Sequence, residues 1–199
     1  MILIGLTGSI AMGKSTVGAM LAALGIPVFD SDSAVHEFYA SPDAVRIEAE
    51  FPGVLQGGAV DRRKLAGYVL GDERAMTRLE AIVHPMVEAA KRAFVERAAA
   101  TRARRVVVDS PLLMETGMER SVDVVVVVSA PAQVQQARAL SRPGMTLERF
   151  QSLLARQTPD AEKRRRAHYV IDTRGALGAT NNQARDLLRC TACMTGRSP

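Results

Sequence analysis

The sequence predicts an α/β fold: a parallel, doubly wound, five-stranded sheet interrupted by two long helical excursions. Three observations predict it. Short apolar runs alternate along the chain with stretches of helical periodicity. Residues 122–130, "VDVVVVVSA", are apolar without alternation, as expected of a strand covered on both faces. A glycine-rich turn joins the first apolar run to the first helical stretch.

The elements follow in order. Residues 1–6 form the first strand. Residues 14–24 carry Val17, Met20, Leu21 and Leu24 at helical spacing, and Gly25 stops the helix. "IPVFD", 26–30, is the second strand, and 33–51 is helical with a break at Ser41-Pro42. Residues 52–61 read as a turn-rich link, and Asp61 caps the helix that follows it. A long helix over 73–104 is expected to bend at His84-Pro85, where proline removes a backbone donor. Residues 105–110 and 122–130 are the third and fourth strands, and 131–140 a helix. After the loop 141–146, Thr146 caps "LERFQSLLARQ". "DAEKRRRA", 160–167, is short and basic, 169–173 is the fifth strand, and 181–189 is a closing helix.

Composition bounds the rest. The 199 residues suit one α/β domain with insertions; 47% are hydrophobic and 24% charged, ordinary for a soluble protein. No apolar run reaches the roughly 18 residues of a membrane span, and "MILIGLTGS" lacks the basic start of a signal peptide. A cytoplasmic protein without a membrane partner is expected. The net charge of +5 weakly suggests an anionic partner. Only 4% of residues are aromatic and none is Trp, which leaves few stacking platforms for nucleic acid, and none is expected as partner. Cys190 and Cys193 lack a second ligand pair for zinc and read as reduced thiols. The oligomeric state is not legible.

Gly8 to Ser15 match G-x-x-x-x-G-K-S, with a strand before and a helix after. Such a loop is a phosphate cradle: its N–H groups and the helix N-terminus attract anions. Lys14 would neutralise β- and γ-phosphate charge, Ser15 would offer its hydroxyl to Mg²⁺, and Thr16 would lie near the α-phosphate. Ala11, Met12 and Gly13 would contribute main-chain N–H groups, so the side chains of Ala11 and Met12 are expected to matter little. The loop holds a nucleotide and leaves the reaction open among a switch, a motor and a kinase.

Other residues narrow that choice. "FDSDS" closes the second strand, and in a parallel sheet such loops meet beside the cradle. Asp32 can orient an acceptor hydroxyl and take its proton, with Asp30 as competitor; either could instead cap the next helix. Asp109 ends the third strand and can reach a metal ion or the acceptor. Arg138 and Arg142 flank the second excursion, with Arg149, Arg156, Lys163 and Arg164–Arg166 beyond them. A segment that closes over ATP needs such cations. Arg138 and Arg142 are the candidates for contact; of the consecutive Arg164–Arg166, which point in different directions around a helix, most are expected in solvent.

Over residues 1–189 the sequence resembles the dephospho-CoA kinases. The resemblance rests on "IGLTGSIAMGKSTV", "GIPVFDSDSAVHEFY", "LEAIVHPMV", "VVVDSPLLMETG" and the segment from "RPGMTLERF" to "YVIDT". It implies a P-loop NTPase-type kinase with a nucleotide core (1–30, 105–140 and 168–199), an acceptor-binding insertion (31–104) and a helical lid (141–167). The implied reaction is phosphorylation of the ribose 3′-hydroxyl of dephospho-CoA by ATP with Mg²⁺. Asp32 would be the base. Asp109, Pro111, Leu112 and His84 would line the acceptor side, with Arg62 and Leu65 along it. Ser110 and Met114 replace larger apolar residues of the family, and Thr173 stands where Asn is common, near the adenine.

Two other readings fit parts of the sequence. "FDSD" suits a shikimate kinase among small-molecule P-loop kinases, including nucleoside monophosphate kinases, but the bulky first excursion and "DSPLLME" do not. A GTP-dependent switch would need an N/T-K-x-D segment after the fourth strand, where "VVVVVSAPAQV" stands.

Overall fold

The computed structural model describes residues 1–194 and 196. The chain runs β1 (Ile2–Thr7), α1 (Lys14–Ala23), β2 (Val28–Asp30), α2 (Ser31–Tyr39), α3 (Val45–Glu50), β3 (Leu55–Gln56), β4 (Ala59–Val60), α4 (Arg62–Val69) and α5 (Glu73–Ala100). It continues through β5 (Arg105–Asp109), β6 (Val124–Ser129), α6 (Ala132–Leu140), α7 (Leu147–Ala155), α8 (Asp160–Arg166), β7 (Tyr169–Asp172) and α9 (Leu177–Cys190). Single 3₁₀ turns occur at Pro42–Ala44 and Met118–Ser121.

The main sheet has the order β2-β5-β1-β6-β7, and β1 pairs in parallel with both β5 and β6. It is the expected five-stranded parallel sheet. The chain moves outward from β1 in one direction, returns, and crosses to the other side. The loop after β1 therefore stands at the point where the winding reverses, where such sheets bind ligands.

Alternation along the strands builds two apolar layers. Ile2, Ile4 and Leu6 of β1 join Val124, Val126 and Val128 of β6 under Val17 and Leu21 of α1 and Leu187 of α9. The odd-numbered Val125 and Val127 face the other way, onto Leu113, Met114 and Val122. All of β6 is buried, so the unbroken valine run reports a strand covered on both faces. Met114 is 5% exposed; its unbranched, flexible side chain fills this second layer.

Several element bounds differ from the sequence reading for local reasons. The link 52–61 contains an antiparallel hairpin, with Leu55 opposite Val60 and Gln56 opposite Ala59. Gly57 and Gly58 both have positive φ, the requirement of a tight two-residue hairpin turn. Helix α5 continues through Pro85 as one helix of 28 residues. It ends at Ala100, short of 104, where Arg102 takes the left-handed conformation (φ 58°). Helix α9 starts earlier than expected, at Leu177.

By its contacts the chain forms two units, one of Asp30–Arg97 and the other of the flanking segments. The Asp30–Arg97 unit has its own buried residues, among them Ile47, Phe51, Val54, Leu65 and Leu79. Within it the Glu48 carboxylate accepts the N–H groups of Gly53 and Leu55 and so fixes the turn before the hairpin. Among the described residues no helix is long and apolar enough to cross a membrane.

Candidate active site

The phosphate loop is shaped by close approach and by left-handed residues. A Cβ on Gly8 would stand 2.6 Å from the Val128 carbonyl oxygen, so only glycine fits there. The Met12 N–H donates to Ser9 O (3.1 Å), closing a turn with Ala11 at φ 61°. Gly13, at φ 94°, leads into α1. That helix has no side-chain cap and no acidic residue in its first turn. Its leading N–H groups and helix dipole are thereby available to an anion.

The crest of the loop is tied down by side chains from other elements. The Ile10 N–H donates to Gln157 Oε1 (2.9 Å), and the Ile10 carbonyl accepts from Gln135 Nε2 (2.8 Å). The Thr173 hydroxyl donates to the Met12 carbonyl (2.7 Å), and Arg138 donates to the Thr173 hydroxyl and carbonyl at 3.0 and 2.6 Å. The Met12 side chain is 2% exposed, and its Sδ accepts the Ala130 N–H at 3.1 Å. Ala11 packs with Ala139 and Phe150. The side chains of Ala11 and Met12 are therefore packed inside the protein, although the sequence reading gives weight to their main chain alone.

Lys14 and Asp109 form an ion pair at the carboxyl edge of the sheet. Asp109 is 4% exposed. A Cβ on Gly18 would lie 3.2 Å from Asp109 Oδ2, so the glycine in the second turn of α1 leaves room for this carboxylate. The adjoining Pro111 carbonyl accepts from the Thr7 hydroxyl (3.3 Å) and from Lys163 Nζ (3.2 Å). Leu112 is 40% exposed. Ser15 and Thr16 are exposed in the first turn of α1.

The segment 141–167 has one face on the core. Phe150 is buried with Ala139, and Met145 and Leu154 pack beside it. Lys163 is fully buried and ion-paired with Glu115 at 2.9 Å. Glu115 Oε1 also accepts the Thr158 N–H at 2.7 Å. Burial alone would raise the Glu115 carboxyl, but Lys163 and the Thr158 N–H outweigh it and hold the group below its ordinary value. Arg166 pairs with Glu119 and Glu162, while Arg142, Arg156, Arg164 and Arg165 are exposed.

In the Asp30–Arg97 unit the two candidate acids separate. Asp30 is the N-cap of α2: its carboxylate accepts the Asp32 and Ser33 N–H groups and the Ser33 hydroxyl at 2.9, 3.3 and 3.2 Å. Asp32 is exposed in the first turn of α2, and its carboxylate has no hydrogen bond or ion pair among the described residues. Arg62, first residue of α4, approaches His36 Nε2 at 3.4 Å. Burial raises the Tyr39 hydroxyl above its ordinary value, and the Arg62 charge offsets part of that rise. Leu65 is 4% exposed, and His84 is exposed on α5.

The structure thus brings Gly8, Ala11, Met12, Gly13, Lys14, Ser15, Thr16, Asp109, Pro111 and Arg138 together around one sheet edge, and Asp32, Arg62, Leu65 and His84 lie in the other unit. Four residues of this arrangement, Gln135, Gln157, Glu115 and Lys163, have no counterpart among the sequence candidates for contact. Isolated polar residues in helical stretches carry no spacing signal. Among the described residues no group of three or more His, Cys, Asp or Glu side chains could hold a metal ion. Cys190 and Cys193 are free and exposed.

The family model described as dephospho-CoA kinase matches residues 2–178. A dephospho-CoA kinase of Brucella melitensis is 49% identical over 188 residues, 94% of each chain. A Thermus thermophilus protein of known crystal structure is 35% identical and superposes with a TM-score of 0.81 over 98% of each chain. The dephospho-CoA kinase from Campylobacter jejuni, 21% identical, shares the fold with a TM-score of 0.63 over 94% of this chain and 95% of that one.

Proposed function

The chain belongs to the dephospho-CoA kinase family, and from that premise we propose how its residues divide the work of the reaction. It is an ATP-dependent phosphotransferase that phosphorylates dephospho-CoA. Membership of that family sets aside the shikimate kinase, nucleoside monophosphate kinase and GTP-switch readings.

Asp32 is the base. It takes the proton of the ribose 3′-hydroxyl as that oxygen attacks the γ-phosphorus of ATP, and the bond to ADP breaks as the new one forms. The observation that carries this reading is the division between Asp30 and Asp32. Asp30 spends its carboxylate on the α2 cap, whereas Asp32 keeps its own uncommitted. Lys14 exchanges Asp109 for the β- and γ-phosphates when ATP binds, and Asp109 then turns to the acceptor side with Pro111, Leu112, His84, Arg62 and Leu65. The N–H groups of Ala11 and of Gly13 to Thr16 hold the phosphates, while that of Met12 closes the Ser9 turn. Arg138 and Arg142 serve the ATP side.

The exposed Ser15 hydroxyl, next along α1 from Lys14, is a hard oxygen donor that fits Mg²⁺. Mg²⁺ bound there would neutralise charge on the phosphates. We assign residues 31–104 to acceptor binding and 141–167 to the lid over ATP. The free thiols of Cys190 and Cys193 suit the reducing cytoplasm, where ATP is supplied.

The test is ADP release from ATP and Mg²⁺ with dephospho-CoA, shikimate or nucleoside monophosphates in turn. Stimulation by dephospho-CoA alone is expected. A folded protein that dephospho-CoA fails to stimulate would overturn the reading.

A further inference from the structure

The short connector between α7 and α8 makes two contacts through adjacent residues. Gln157 accepts the Ile10 N–H on the crest of the phosphate loop (2.9 Å), and the Thr158 N–H donates to Glu115 (2.7 Å). Glu115 is itself fixed by the buried Lys163 of α8, whose ammonium also reaches the Pro111 carbonyl. One connector therefore touches both the loop that carries Lys14 and the loop that carries Asp109 and Pro111.

The Ile10 N–H also fixes the orientation of the Gln157 amide, because a backbone donor needs the side-chain oxygen and not the nitrogen. Gln135 holds the carbonyl of the same residue from α6. Ile10 precedes Ala11, the left-handed residue of the Ser9–Met12 turn, so the two glutamines hold the peptide groups on which the loop's curvature depends. Of the two, Gln157 belongs to the segment 141–167. Gln135 lies on α6 and is 4% exposed.

We infer that Gln157 is a positioning residue of the phosphoryl transfer: through the Ile10 N–H it couples the segment 141–167 to the shape of the phosphate loop. The inference rests on reading that segment as the lid. A lid that moves against ATP moves Gln157 with it, and the Ile10 N–H keeps this acceptor only while Gln157 is in place. Beside that contact, Thr158 and Lys163 tie the same segment to Glu115.

Two substitutions separate this role from simple structural support. Gln157→Leu keeps the bulk and removes the acceptor; Gln157→Glu keeps an acceptor oxygen. In Gln157→Leu, hydrogen exchange at the Ile10 amide, read by NMR, speeds up at least about 5-fold, as loss of one hydrogen bond predicts. The kcat/KM for ATP falls by about 5–10-fold while KM for dephospho-CoA holds and the melting temperature falls by only about 2–4 °C. Gln157→Glu retains the Ile10 protection. Unchanged kcat/KM for ATP in Gln157→Leu, or loss of protection in Gln157→Glu, overturns the inference. A wild-type protein silent towards dephospho-CoA would sink the reaction itself, whereas Ile10 exchange and ATP binding still judge Gln157.

Discussion

The ammonium of Lys14, the first residue of α1, is ion-paired with the carboxylate of Asp109, the last residue of β5, and the side chains are only 12% and 6% exposed. A buried charge that loses its partner is costly, typically about 3–5 kcal/mol. Each partner therefore stabilises the other until phosphates compete for the lysine. Lys14→Ala is expected to abolish measurable transfer and to lower stability, because the buried Asp109 loses this cation. The double variant Lys14→Ala with Asp109→Asn should regain much of that stability and none of the transfer. Urea unfolding and ADP release on the same samples check both halves. Equal stability in the single and double variants would show that the pair does not couple.

Asp30 and Asp32 should fail in opposite ways. Asp30→Ala removes the carboxylate that accepts two N–H groups and a hydroxyl at the start of α2, so it should cost about 1 kcal/mol of stability. Asp32→Asn touches no hydrogen bond of the Asp32 carboxylate among the described residues, so thermal unfolding should stay close to that of the parent protein. It should instead lower kcat by about 10²-fold or more, with ATP binding little changed. Near-normal turnover in Asp32→Asn would remove it as the base.

That contrast marks how far the sequence can go. The order of strands and helices is legible because each apolar run is short and each helix repeats its apolar residues at fixed spacing. The cradle is legible because its backbone leaves little choice: Gly8 meets Val128, and Gly13 sits at φ 94°. Choosing Asp30 as the cap needs the three-dimensional arrangement, since two aspartates one residue apart satisfy the same pattern. The hairpin at 55–60 escapes sequence reading although Gly57-Gly58 is its signal, because its strands are only two residues long. The burial of Lys163 leaves no mark in the sequence, where it stands beside the exposed Arg164, Arg165 and Arg166. Its burial depends on Glu115, far earlier in the chain, and on the carbonyl of Pro111.

Acid should act on the connector through Glu115. Its carboxyl lies below the ordinary value near 4.5 in the folded protein, so the folded state favours the charged form. The stabilisation is present above about pH 4.5 and is lost as pH falls through the lower, folded value. At neutral pH Glu115→Gln leaves the fully buried Lys163 without its carboxylate, and stability should drop by about 3 kcal/mol or more. The gap between the two proteins should narrow below about pH 4.5 as the wild-type carboxyl protonates. Urea midpoints from about pH 7 to about pH 3.5 check this; a gap that stays constant would place the effect in packing rather than charge.

Thr173 carries the last consequence. Its hydroxyl donates to the Met12 carbonyl and accepts from Arg138, while its carbonyl accepts a second Arg138 N–H. The residue is 5% exposed, so water does not readily replace these bonds. Thr173→Val preserves shape and removes the hydroxyl. The Met12 carbonyl loses this donor, and Arg138 keeps only the main-chain contact at Thr173. The expected cost is about 1–3 kcal/mol, the penalty for unsatisfied buried polar groups. Loosening the Met12 peptide should also shift the neighbouring N–H groups of the cradle, so KM for ATP should rise more than KM for dephospho-CoA. Thr173→Ser, which keeps the hydroxyl, should retain ATP affinity even where the lost methyl lowers stability. The Thr173 methyl lies so close to Gly13 that a Cβ there would stand 3.4 Å from it. Loss of ATP affinity in Thr173→Ser equal to that in Thr173→Val would therefore assign the effect to packing of this methyl against the loop instead of to the hydroxyl.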